Sequence, residues 1–170
     1  MHIELNGVSK TFGQGSREHR AVRDMSFEAR SGEVVGVLGP NGAGKTTMIR
    51  MLLDILRPDE GEIRIDGVAA GNRGPAFRSR TGYLPEERGL YQRRKVRDVL
   101  WYLGALKGLT RTEALDRGEA LLARLELEGW TNKRVNELSK GMGQKVQIAC
   151  SILHDPDLVV LDEPFSGLDP

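Results

Sequence analysis

The stretch GPNGAGKT, Gly39 to Thr46, constrains this chain more than any other. It satisfies G-x-x-x-x-G-K-[S/T] at every defined position. The preceding EVVGVL, Glu33 to Leu38, is a short continuous apolar run, which predicts a strand buried on both faces. The following KTTMIRMLLDIL places Met48, Met51, Leu52 and Ile55 at helical spacing. A glycine turn matching by chance would lack that strand and helix. Glycines let the backbone curl so that successive N–H groups point inward at an anion. The helix N-terminus adds about half a positive charge. Lys45 supplies a full charge for outer phosphates, and the Thr46 hydroxyl can ligate Mg²⁺. Gly39, Pro40, Asn41, Gly42, Ala43, Gly44, Lys45, Thr46 and the adjoining Thr47 are therefore expected to bind a nucleoside triphosphate.

A second motif answers the first. LVVLDE is an apolar run, Leu158 to Leu161, ending in two carboxylates. It too predicts a strand buried on both faces. Asp162 is suited to hold Mg²⁺, directly or through water. Glu163, one residue on, is placed to polarise a water for in-line attack on a γ-phosphate. Alone, the pair would read as a strand followed by a solvated acidic turn; the phosphate loop upstream changes that reading.

Composition excludes several alternatives. Lys and Arg number 25 against 24 Asp and Glu, so net charge gives no reason to expect nucleic acid. Aromatics make up 5% of the chain, too few for a base-stacking surface. The single cysteine, Cys150, cannot form an intramolecular disulfide and reads as a small buried residue on a helix. No apolar run approaches the ~20 residues needed to cross a bilayer, and no leader-like segment opens the chain.

The rest of the chain predicts strands first and helices later. Ile3–Val8, Val22–Ala29 and GEIRIDG alternate like half-exposed strands, and TGYLPEE is a short strand running into a loop. Val96 to Leu109 predicts a helix, with Val96, Val99, Leu100, Leu103 and Leu106 on one face. Thr110 and Glu113 form a capping box for the next helix, through about Leu125. Ser139 caps a further helix running toward Leu153. The order suggests an α/β core with a helical insertion.

The stretch ELSKGMGQK resembles the signature motif of ATP-binding-cassette ATPases, written L-S-G-G-Q. Here Leu138, Ser139 and Gly141 keep the pattern, while Lys140 and Met142 depart from it. Leu138 lies 93 positions after Lys45 and 24 before Asp162, which is similar to the cassette arrangement. Ser166, Gly167, Leu168 and Asp169 resemble the family's D-loop, and Asp24 to Phe27 its lead-in to the phosphate loop. The resemblance spans Ile3 to Pro170 and is nearest to ATPase subunits of prokaryotic sodium-extrusion and drug-export systems. It implies a P-loop NTPase (RecA-like) core with an N-terminal antiparallel β subdomain and an α-helical insertion. Residues 1–85 and 154–170 would form the β subdomain and core, and about 86–153 the insertion.

The resemblance also implies roles. Phe12 would stack on adenine, although a strand-end core aromatic is the other reading of that ring. Lys45, Glu163 and Glu86 would be catalytic, and Thr46, Asp162 and Glu86 would hold the metal. Glu86 stands where the family places a glutamine, adding negative charge beside ATP. Leu138, Ser139, Lys140, Gly141 and Met142 would act in trans, on ATP held by a second cassette. The implied cofactors are ATP and Mg²⁺. The implied partners are a second cassette, identical or not, and a transmembrane permease subunit, with no nucleic acid. The chain would sit on the cytoplasmic face of the membrane through that permease.

Arg93, Arg94, Lys95 and Arg97 lie where the family meets its permease, or form a solvated face. A soluble cassette acting on DNA or ribosomes, and a non-hydrolysing nucleotide binder, remain the competing classes. The family also continues past the D-loop with another core strand and a histidine at the γ-phosphate. No histidine follows His154, so the chain is expected to be a C-terminally truncated member with little turnover as written. The absent strand would leave the strands at Glu33–Leu38 and Leu158–Leu161 without a shared neighbour.

Overall fold

The computed structural model describes residues 1–87 and 89–164, except for the side chain of Ser16. It divides into two compact units, Met1–Arg78 and Ser79–Pro170.

The first unit is built on an antiparallel sheet. Strands β1 (His2–Phe12), β2 (His19–Arg30), β3 (Glu60–Ile65) and β4 (Val68–Ala69) pair in the order β2-β1-β3-β4. The alternation of the sequence survives as one buried face: Ile3, Leu5, Val22, Ile63 and Ile65 point inward. The β1–β2 register slips between Leu5 and Thr11, so Val8 and Ser9 are both buried. Helix α1 (Lys45–Leu52) buries Met48, Ile49, Met51 and Leu52. It ends four residues short of the sequence pattern. Asp54 takes a left-handed conformation, φ +59°, and Ile55 is left exposed.

A buried cation holds that end. The Arg73 guanidinium donates to the Leu52 carbonyl at 2.8 Å and to Asp54 Oδ1 at 2.6 Å. Its face lies 4.6 Å from the centre of the Phe77 ring, on the short helix α2 (Gly74–Ser79), which the sequence pattern did not suggest. Burial pulls the Arg73 pKa down, and the Asp54 carboxylate opposes that shift. Removing one member of a buried pair strands the other. Arg73→Ala is therefore expected to destabilise the unit by about 3 kcal/mol, read as a lowered urea midpoint. An unchanged midpoint would show that water replaces the guanidinium.

In the second unit, β5 (Thr81–Leu84) pairs in parallel with β6 (Leu158–Leu161), from Thr81↔Leu158 to Leu84↔Leu161. Helices α3 (Val96–Ala105), α4 (Arg111–Arg124) and α5 (Lys140–Ile152) enclose a core of Val96, Val99, Leu100, Ala114, Leu122, Val146, Ala149 and Leu153. The capping box forms as expected: Thr110 Oγ1 accepts from the Glu113 N–H, and the Glu113 carboxylate accepts from the Thr110 N–H at 2.8 Å. Cys150 lies in this core, where burial pushes its thiol pKa up to about 12. Helix α3 ends at Ala105, so Leu106 lies beyond the buried face and is 65% exposed.

Two expectations fail. Glu33–Leu38 forms no strand; Val34 is 100% exposed and Leu38 96%. β6 does form, but only Val160 is fully buried, while Val159 and Leu161 are each 41% exposed. The reason is common to both. A doubly buried strand needs a ladder partner on each edge and a layer on each face. Among the described residues, nothing pairs with Glu33–Leu38, and β6 pairs with β5 alone.

Candidate functional site

The phosphate loop belongs to the first unit. Residues 39–44 turn tightly, with the Ala43 N–H donating to the Pro40 carbonyl at 3.1 Å. Gly42 and Gly44 sit at φ +81° and +88°. Gly44 is the N-cap of α1 and has no side chain with which to block it. A Cβ there would lie 2.0 Å from the Ala21 carbonyl oxygen on β2, so only glycine lets α1 start this close to the sheet. The Met48 N–H donates to the Gly44 carbonyl, the first bond of the helix. The N–H groups of Lys45, Thr46 and Thr47 therefore precede the first intrahelical bond and remain available to an anion.

Lys45 is turned back over the loop. Its ammonium donates to the carbonyls of Gly39 at 2.8 Å and Pro40 at 3.0 Å. The positive charge thus sits over the concavity that the glycines form. Phe12 ends β1 and is half exposed, with the Lys10 ammonium 5.7 Å from its ring centre. It is not a core aromatic.

The carboxylate end belongs to the second unit. Asp162 continues β6, and its N–H donates to the Leu84 carbonyl at 2.9 Å. Its side chain is buried, 2% exposed, and among the described residues Oδ2 has no hydrogen-bond partner. A buried carboxylate oxygen left unpaired is costly unless a cation or its water completes it. The donor set therefore fits a hard divalent cation such as Mg²⁺. Glu163 is exposed, at φ +49°. Glu86 is exposed in the loop after β5. The D-loop residues Ser166–Asp169 lie outside the described residues.

The signature segment opens α5. Ser139 Oγ accepts from the Met142 N–H at 3.2 Å, and the Gly143 N–H reaches the Ser139 carbonyl at 2.9 Å. Leu138 and Met142 pack against the helical core, while Ser139 and Lys140 are exposed. The helix start is thus anchored by its apolar neighbours and presented by its polar ones. Of the basic cluster, Arg97 donates to Asn132 Oδ1 at 3.2 Å, and Lys95 bridges to Arg134.

Two side chains of α5 escaped the sequence reading. Gln144 Nε2 donates to the Pro164 carbonyl at 3.2 Å. Gln147 Nε2 donates to the Glu87 carbonyl at 3.1 Å and, more distantly, to that of Pro85 at 3.5 Å. Their only signal was polarity on the apolar face of a helix.

Comparison with known proteins finds relatives of the whole described chain. The model of the family described as ABC transporter matches residues 22–166. The ABC transporter ATP-binding protein NatA of Bacillus subtilis (strain 168) is 44% identical over 98% of this chain and 68% of its own length. The Nod factor export ATP-binding protein I of Rhizobium sp. (strain N33) is 40% identical over 99% of this chain and 54% of its own. The chain thus spans little more than half to about two-thirds of these relatives. The dimeric structure of MJ0796, a bacterial ABC transporter cassette, superposes with a TM-score of 0.87 at 27% identity, covering 98% of this chain and 76% of that one. The same cassette in a post-hydrolysis state bound to ADP and Pi gives 0.83.

Proposed function

Since the chain belongs to the ABC transporter family of ATP-binding cassettes, we propose that it is the ATP-binding and ATP-hydrolysing cassette of an exporter. It would work with a second cassette and a membrane permease subunit. The observation that carries this reading is the glycine loop at the start of α1 with Lys45 turned over it. The names of NatA and of the Nod factor export protein support a transport role, the latter export in particular. Among the described residues no helix is long and apolar enough to cross a membrane.

The chemistry assigned to each residue follows from its setting. Loop 39–46 and the first amides of α1 hold the β- and γ-phosphates of ATP. Lys45 exchanges two neutral carbonyl acceptors for anionic phosphate oxygens, so that donor and acceptor are both charged. Thr46, Asp162 and Glu86 would hold Mg²⁺, which when bound neutralises charge developing on the phosphates. Asp162 does so from a buried position, Glu86 from an exposed one. Glu163 orients the attacking water and takes its proton. Phe12 stacks on adenine. Leu138 to Met142 direct the start of α5 at the γ-phosphate held by a second cassette, with Ser166–Asp169 beside it. MJ0796 is a dimer, which supports this head-to-tail use.

The test is phosphate release from ATP by the full chain, with and without Mg²⁺, together with identification of what co-purifies. The expected outcome is release that depends on Mg²⁺ and co-purification of a polytopic membrane protein. ATP binding without release, or co-purification with ribosomes or DNA, would overturn the reading.

A further inference from the structure

Gln144 and Gln147 are buried, 2% and 6% exposed, on a helix whose other inward residues are small or apolar. They stand three positions apart, hence on one face. A buried primary amide is costly unless it is hydrogen-bonded, and a methionine of similar size would fill the space without that cost. Both amides spend their donors on backbone carbonyls that flank a candidate carboxylate. Gln147 reaches the carbonyls on either side of Glu86. Gln144 reaches the carbonyl of Pro164, next to Glu163. The two loops leave the sheet at the same level, because Leu84 pairs with Leu161 and the Asp162 N–H bonds the Leu84 carbonyl. Glu163 is held at φ +49°, a conformation that persists in a non-glycine residue only where its surroundings impose it.

We propose that Gln144 and Gln147 are positioning residues, which brace the Glu86 and Glu163 loops from the helix that opens with Ser139–Met142. The proposal rests on the reading of Glu86 and Glu163 as working carboxylates. One rigid helix then carries both the signature segment and the supports of the two loops. An axial shift of α5, as when its start meets a second cassette, moves both loops together.

The experiment uses the full chain as its gene encodes it, with Gln147→Met and Gln144→Met. Backbone carbonyl carbon resonances are read by NMR without nucleotide, and steady-state hydrolysis is titrated with ATP and with Mg²⁺. In Gln147→Met the Glu87 carbonyl, which loses its donor, should shift upfield, as a carbonyl does when a hydrogen bond to its oxygen is removed. In Gln144→Met the upfield shift should fall on the Pro164 carbonyl. Each variant should lose kcat with KM for ATP unchanged, and Gln147→Met alone should require more Mg²⁺. If the two carbonyls keep their wild-type resonances, if kcat is unchanged, or if the resonances of the whole of α5 and its core move equally, the proposal is wrong. Should a methionine variant fail to fold, Gln→Asn keeps the amide one methylene short of its acceptor and is read in the same way. Spectra without nucleotide also separate the two claims. Carbonyl resonances that respond to the substitutions in a chain that never turns over ATP would sink the functional reading alone. Turnover with loops indifferent to both substitutions would sink the brace alone.

Discussion

Glu163→Gln is expected to lower ATP turnover by about 10²- to 10⁴-fold, the usual contribution of a positioned general base, while ATP binding stays within about twofold. The side chain is exposed, and glutamine has the same size and takes the same backbone conformation at similar cost, so the fold should not change. On the proposed reading, what is lost is the acceptor of a proton from the attacking water. The phosphate loop lies in the other unit and keeps its turn and its lysine. The measurement is single-turnover phosphate release beside a fluorescent-nucleotide titration. A variant that retains more than one-tenth of the wild-type rate would remove Glu163 from the chemistry. Equal losses in rate and affinity would make it a binding residue instead.

Gly44→Ala should have the largest effect on binding. The new Cβ would meet the Ala21 carbonyl oxygen at 2.0 Å and Val22 Cγ2 at 3.1 Å. The carbonyl is part of β2 and cannot rotate away as a side chain could. A backbone at φ +88° is also strained for any residue with a Cβ. The loop must leave β2, or the first turn of α1 must unwind, and either disperses the N–H groups meant for phosphate. Destabilisation of about 2–4 kcal/mol is expected from clash and strain together, with ATP affinity reduced by about 100-fold or more. Gly42→Ala is the control. It is at φ +81° but has open space around its Cβ, so only strain of about 1 kcal/mol applies. Thermal melts and calorimetric ATP titrations of the two variants decide the matter. Equal losses would show that strain, and not the approach to β2, is what glycine relieves at Gly44.

Much of the site could be read residue by residue, because its chemistry is local. The Gly39–Thr46 turn, the helix that follows it, the capping box of Thr110 and Glu113 and the Ser139 cap each lie within a stretch of at most eight residues. Backbone conformation and short-range hydrogen bonds settle such features whatever surrounds them. The places of Lys45 and Asp162 were legible for the same reason: one directly follows its loop, and the other directly follows its strand.

What the residues could not specify is where each segment finds its partners. The apolar run Glu33–Leu38 carries the composition of a doubly buried strand, yet it is largely exposed and, among the described residues, pairs with no strand. Apolarity records a demand for burial and does not supply the neighbours that meet it. The same limit explains β6, whose Val159 and Leu161 stay half open where, among the described residues, β5 alone pairs with it. Arg73 and Asp54, 19 positions apart, and Gln147 and Glu87, 60 apart, meet only because packing brings them together. By itself the sequence determined the phosphate loop, the carboxylate pair and the helix starts. Tertiary structure alone decided which strands have neighbours and which loops α5 holds, because ladder bonds and buried amides are completed by residues distant along the chain.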